Sequence, residues 1–122
     1  MYQYIIVRTD IPLGHQLNCC AHAAALCTAK FINDPNMLPW LSNPYTVSVE
    51  VADEESMVLA HTLLGEDNSY MFIEPDLNTT ACAVATRPRP KHEYPQWIRK
   101  LPLAHRGCHS VKLSKSVLKD SA

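Results

Sequence analysis

Tyr2–Ile32, YQYIIVRTDIPLGHQLNCCAHAAALCTAKFI, is the stretch that decides the fold class. Its first eight residues, YQYIIVRT, are rich in β-branched and aromatic side chains and stop at Asp10, which reads as a buried strand. Pro12 and Gly14 then break the strand. From His15 to about Ile32 the chain is dense in alanine and leucine. Leu17, Cys20 or Ala21, Ala24, Cys27 or Thr28, and Phe31 recur at helical spacing. A helix with so many small residues predicts a close approach to a sheet.

Outward from this unit the same alternation continues. Residues 33–44 hold three prolines and predict a loop or a short irregular helical turn. Tyr45–Val51 alternates with period two, the pattern of a half-buried strand. Asp53 is placed as an N-cap, Glu54 and Glu55 fall in the first turn where the helix dipole favours anions, and Gly65 ends that helix. Tyr70–Glu74 and Ala81–Thr86 are two further strands, joined by a turn at 75–79 and close enough to pair. Pro88 and Pro90 stop the last strand, and Pro95–Leu101 fits a short helix. The order strand, helix, strand, helix, strand, strand, helix predicts an α/β domain: one four-stranded mixed sheet flanked by helices, over residues 1–103.

Composition narrows the class. With 122 residues and 47% hydrophobic side chains, the chain is sized for one domain with its own core. No apolar run reaches the roughly 18 residues that cross a bilayer, and the opening residues lack a basic start and a small-residue cleavage site. An intracellular, cytoplasmic location is expected. Cys19, Cys20, Cys27, Cys82 and Cys108 form no CxxC pair and read as reduced thiols filling space. The net charge of −1 conceals a division: residues 1–86 carry two basic and ten acidic side chains, residues 87–122 nine basic and two acidic. The basic third suits a polyanion such as RNA, or the protein's own acidic face. Residues 104–122 read as a basic tail with few apolar anchors, mobile or ordered by a partner.

Two places carry candidate chemistry. The turn after strand one offers Asp10 and then Gly14–His15 at a helix start, where free N–H groups and the dipole seat anions. Along that helix His15, Cys19 and His22 form one stripe. Such a stripe invites a metal reading, but a coordination sphere usually needs ligands from a second element, so no metal or other cofactor is expected. The second place is Glu74-Pro-Asp-Leu-Asn-Thr-Thr80, where Asp76 could accept a proton from water and Thr80 orient it, or where an ordinary capped turn sits. No phosphate-loop pattern and no GxGxxG occurs.

RTDIPLGHQLNCCAHAA, followed some fifty residues later by FIEPDLNTTACAVA, resembles the type 2 peptidyl-tRNA hydrolases. Their pattern runs strand, R-x-D-L, a lysine-containing turn, a C-A-H-A-A helix and later D-A-G-x-T. RPRPK and QWIRKL are similar to the peptidyl-tRNA hydrolase domain-containing offshoot of that family. The resemblance spans residues 3 to about 103. It implies metal-independent cleavage of the ester between peptide and tRNA ribose, often by a homodimer. By position Asp10 matches the acidic residue after strand one, His22 the helix histidine, Asp76 the aspartate and Thr80 the threonine. Asn78 stands at the family's glycine, and asparagine is the next best residue for a left-handed turn. The turn here is shorter and has no lysine, His15 is the nearest cationic candidate, and Cys19 replaces glutamine.

The expectation is therefore hydrolysis with Asp76, Thr80, His22 and His15 catalytic. Asp10, Cys19, Asn78, Arg87, Arg89 and Lys91 would bind substrate, and the basic stretch 87–119 would follow the tRNA backbone. The alternative is a silent member of the same fold that binds RNA or a protein. A small-molecule hydrolase is the remotest reading.

Overall fold

The computed structural model describes residues 1–78, 80–104 and 112–113. Strands β1 (Gln3–Arg8), β2 (Thr46–Val51), β3 (Ser69–Glu74) and β4 (Thr80–Thr86) form one mixed sheet in the order β2-β1-β4-β3. β1 and β2 run parallel, whereas β4 is antiparallel to both β1 and β3. Three carboxyl ends, those of β1, β2 and β3, therefore share one edge of the sheet. Crevices beyond such edges are the usual ligand sites of open α/β sheets.

Helices α1 (Leu13–Lys30) and α3 (Glu54–Leu64) cover opposite faces, with α2 (Met37–Ser42) and α4 (Gln96–Arg99) as short additions. The α3 face buries Tyr4, Ile6, Val49, Val51, Val84 and Ile98. Ile6 and Val84 are wholly enclosed, worth about 1.5–3 kcal/mol each. The α1 face is made of smaller parts: Cys19, Ala23 and Cys27 on the helix lie against Ile5, Cys82, Ala83 and Ala85. Small residues on both sides let the helix approach closely, as its alanine content predicts. The register differs from the expected one, for Leu17 is exposed and the inward stripe is Gln16, Cys19, Ala23 and Cys27. A sheet floor of alanine and cysteine has room for that narrow stripe and none for a leucine.

Local signals set the helix ends. Asp53 accepts a hydrogen bond from the Ser56 N–H at 2.9 Å and caps α3. Gly65, at φ 86°, takes the left-handed backbone that stops it. α1 starts two residues before the expected His15, after Pro12, whose fixed φ suits a helix entry.

Two features depart from the sequence reading. Glu50 is buried rather than solvent-facing, because residues 102–104 lie along β2: the Glu50 N–H donates to Pro102 O and the Ala104 N–H to Ser48 O. Leu113 is also buried and donates its N–H to Ser56 Oγ at 2.9 Å, so this part of the expected tail docks on the α3 face. The rest of the tail, with Cys108, lies outside the described residues.

Candidate functional site

The opening of α1 and the hairpin between β3 and β4 lie side by side at the carboxyl edge. Cys19 donates its thiol proton to Glu74 Oε2 at 3.8 Å, and the His22 ring meets the Phe72 ring edge-on at 4.9 Å. Lys30, at the far end of α1, donates to Ser69 O at the start of β3, so helix and strand run antiparallel. From Lys30 to Cys19 the helix rises ~16 Å at ~1.5 Å per residue. Ser69 to Glu74 covers about the same length at ~3.3 Å per residue. His15 lies one helical turn before Cys19, toward the start of α1.

The turn itself is built by Glu74. Its Oε1 accepts from the Asp76 N–H at 3.1 Å, and Pro75–Leu77 forms a single 3-10 turn. Asn78 follows at φ 58°, ψ 36°, the left-handed conformation asparagine was expected to tolerate. Asp76 is exposed, and its carboxylate makes no hydrogen bond or ion pair with any described residue. Thr80 Oγ1 lies 3.5 Å from Cys82 Sγ.

Cys82 is the extra residue of a bulge. Phe72 pairs with Ala83 and Ile73 with Ala81, leaving Cys82 unmatched. Ala81 consequently turns to the α3 face while Cys82 and Ala83 both face α1. The Ala81 peptide is held by two side chains: Arg8 Nη1 donates to its carbonyl at 3.2 Å, and Glu54 Oε2 accepts from its N–H at 2.7 Å. Arg8 also donates from Nε and Nη2 to both oxygens of Asp10, at 2.6 and 2.8 Å, and lies 3.8 Å from Glu54. Those hydrogen bonds from Arg8 to Asp10, with the charges of Asp10 and Glu54, raise its pKa further above its ordinary value. Arg8 and Glu54 are the members of this edge that the sequence reading missed. Arg8 ends an apolar strand, which is a signal in itself, whereas Glu54 is indistinguishable in sequence from any first-turn carboxylate.

The expected residues fall into three groups. Cys19 and His22 meet β3 next to the turn that bears Asp76, Asn78 and Thr80; His15 lies one turn earlier on α1, and Asp10 is committed to Arg8. Cys19 is a buried thiol whose pKa is pushed up to about 12, chiefly by burial and then by Cys82 and Glu74, so it is protonated at neutral pH. The metal stripe does not persist, since Cys19 turns inward and His22 outward. Arg87, Arg89 and Lys91 follow the other end of β4, about 20 Å along the sheet from Thr80 at strand rise. Arg87 is bound there to Asp34 at 3.1 Å and to Asn68 Oδ1 at 3.0 Å.

Two other arrangements invite a functional reading. His61 has Ser69 Oγ 3.0 Å from Nδ1 and Glu66 Oε1 2.7 Å from Nε2, the distances of a serine–histidine–acid relay. Ser69 is fully buried, and its hydroxyl proton is given to Gly65 O at 2.9 Å. With its own proton given to Gly65 O, the Ser69 hydroxyl can only accept from Nδ1, so His61 ties Ser69 to Glu66 and is no base for the serine. A cavity of about 720 Å³ lies along α3, lined by Val58, Leu59 and Leu113, and touches the hairpin edge only through Glu54.

No family model matches the chain, and no curated protein matches it. No helix among the described residues is long and apolar enough to cross a membrane.

Proposed function

We propose that the chain hydrolyses the ester of peptidyl-tRNA at the carboxyl edge of the sheet, on a domain of the type 2 peptidyl-tRNA hydrolase kind. The observation that carries this reading is the meeting of the two resembling motifs, the helix bearing His15, Cys19 and His22 and the turn bearing Asp76, Asn78 and Thr80, through Cys19–Glu74 and His22–Phe72. Asp76 takes a proton from water, Thr80 orients that water, and the oxygen adds to the ester carbonyl. The first N–H groups of α1 have no side-chain cap and no acidic residue in their turn, and they supply donors for the developing oxyanion where the family has a lysine. Collapse of the adduct expels the ribose oxygen, which recovers the proton. His22 binds the tRNA end. The acting form is cytoplasmic and, by resemblance, a homodimer.

A second reading has an observation of its own. Asp10, Glu54, Glu74 and Asp76 outnumber Arg8 at this edge, a field that repels phosphate here and suits a silent member of the fold whose RNA or protein partner binds away from this edge. One experiment separates them. Incubated with N-blocked aminoacyl-tRNA, the wild type should release amino acid and Asp76→Ala should be slowed by about 10²-fold or more. Equal release from both would remove the hydrolytic reading.

A further inference from the structure

At the opposite end of the sheet Tyr2 and Arg89 form an antiparallel pair, exchanging backbone hydrogen bonds of 2.7 and 3.0 Å. Directly opposed residues project to the same face, so one side chain of each lies beside the other. Tyr94 anchors the corner: its hydroxyl donates to a backbone carbonyl, lying 2.8 Å from both Tyr2 O and Arg87 O, and lies 2.9 Å from Thr86 Oγ1.

The cations here are placed differently from those elsewhere. The Arg89 guanidinium lies 5.4 Å from the Tyr94 ring centre, and its buried Nε makes no hydrogen bond with any described residue. No carboxylate among the described residues forms an ion pair with it: Asp34 is held by Arg87, and Glu93 acts on it only as a nearby charge. Burial first and the Arg87 charge second lower its pKa, and the smaller opposing influences of Tyr94, Glu93 and Asp34 do not cancel them. Lys91 is exposed and sits 5.7 Å above the Tyr2 ring. Tyr2 in turn packs at 4.6 Å against Tyr45, which is 58% exposed. Unneutralised cations beside a presented aromatic face are the two components of single-strand recognition: phosphates need the charge, and any base can stack on the ring.

We infer that the Tyr2–Tyr45–Arg89–Lys91 corner is a docking surface for single-stranded RNA, with phosphates on Arg89 and Lys91 and a base on Tyr45. It deepens the peptidyl-tRNA reading by naming where the polynucleotide is gripped, about 20 Å from the acidic edge. It does not require turnover, so the two can fail separately: loss of ester cleavage leaves binding intact, and loss of binding here leaves Asp76 untouched.

The test is fluorescence anisotropy of a short fluorescein-labelled oligouridylate with the full chain, across about 50 to 200 mM salt. Wild type should bind with affinity that falls as salt rises. Lys91→Gln should weaken binding and reduce the logarithmic salt slope by about 0.7, one single-strand phosphate contact. Tyr45→Ala should weaken oligouridylate binding by about 5-fold or more, as loss of one stacked base requires, while leaving inorganic polyphosphate binding at the wild-type value. Both positions are exposed, so unchanged melting curves confirm folded variants. Wild-type affinity in both variants would overturn the proposal. So would polyglutamate competing as well as RNA, which would assign the corner to an acidic protein.

Discussion

Arg8 and Arg89 sit at opposite ends of the same sheet and show two uses of one side chain. Arg8 is surrounded by Asp10, Glu54 and the Ala81 carbonyl, so its charge is spent inside the protein, fastening the hairpin to β1. Arg89 lies over a tyrosine ring and forms no ion pair among the described residues, so its charge is not spent on fastening one strand to another. A cation's proximity to a carboxylate therefore separates architecture from recognition better than its position in a basic stretch. By that criterion Arg87, which the sequence groups with Arg89, belongs with Arg8.

The largest expected effect tests this contrast directly. Arg8→Met should lower unfolding free energy by about 1–2 kcal/mol, through the lost hydrogen bond to the Ala81 carbonyl and the solvent-screened pairs with Asp10 and Glu54. Arg89→Met removes an unpaired charge and should cost less than ~1 kcal/mol or stabilise. Urea midpoints at neutral pH report both, and equal losses would dissolve the distinction. Next in size is the hairpin: Asn78→Ala should cost about 1 kcal/mol, since alanine resists φ 58°, whereas Asn78→Gly should cost nothing or gain slightly. A reversed order in thermal melts would mean that Asn78 acts through its amide instead.

The smallest effect concerns pH, and it again sets a structural charge against a free one. Hydrogen bonds from Ser56 hold the Asp53 carboxyl below its ordinary value, and His61 then Lys30 do the same for Glu66. Folded carboxyls with depressed values bind fewer protons than the unfolded chain, so their stabilisation is complete above about pH 5 and is lost as pH falls below ~4. Melting temperature should decline over that window, and the double variant Asp53→Asn, Glu66→Gln should flatten the decline. An identical slope in the double variant would place the acid sensitivity elsewhere.

Much of the fold was legible because its signals are local. Asp53 and Gly65 bracket α3 within a dozen residues, and the period-two run of β2 and the short apolar run of β4 need only their own side chains. The nearness of the α1 opening to the 75–80 turn was legible through motif order. What escaped depends on partners distant in sequence. Leu17 is exposed because alanines some sixty residues away set the floor, Glu50 is buried because residues 102–104 return to β2, and Glu54 binds a peptide next to a bulge that only the β3–β4 register reveals. The Arg87–Asp34 pair, 53 residues apart, is another such case.

The alanines between α1 and the sheet act as a spacer. Ala23, Ala83 and Ala85 set how far the helix stands from β4, and Cys19 and His22 ride on that helix toward Glu74 and Phe72. A single added methyl under the helix would lift every group on it together, so the clearance at the candidate centre is adjusted by residues that never touch it.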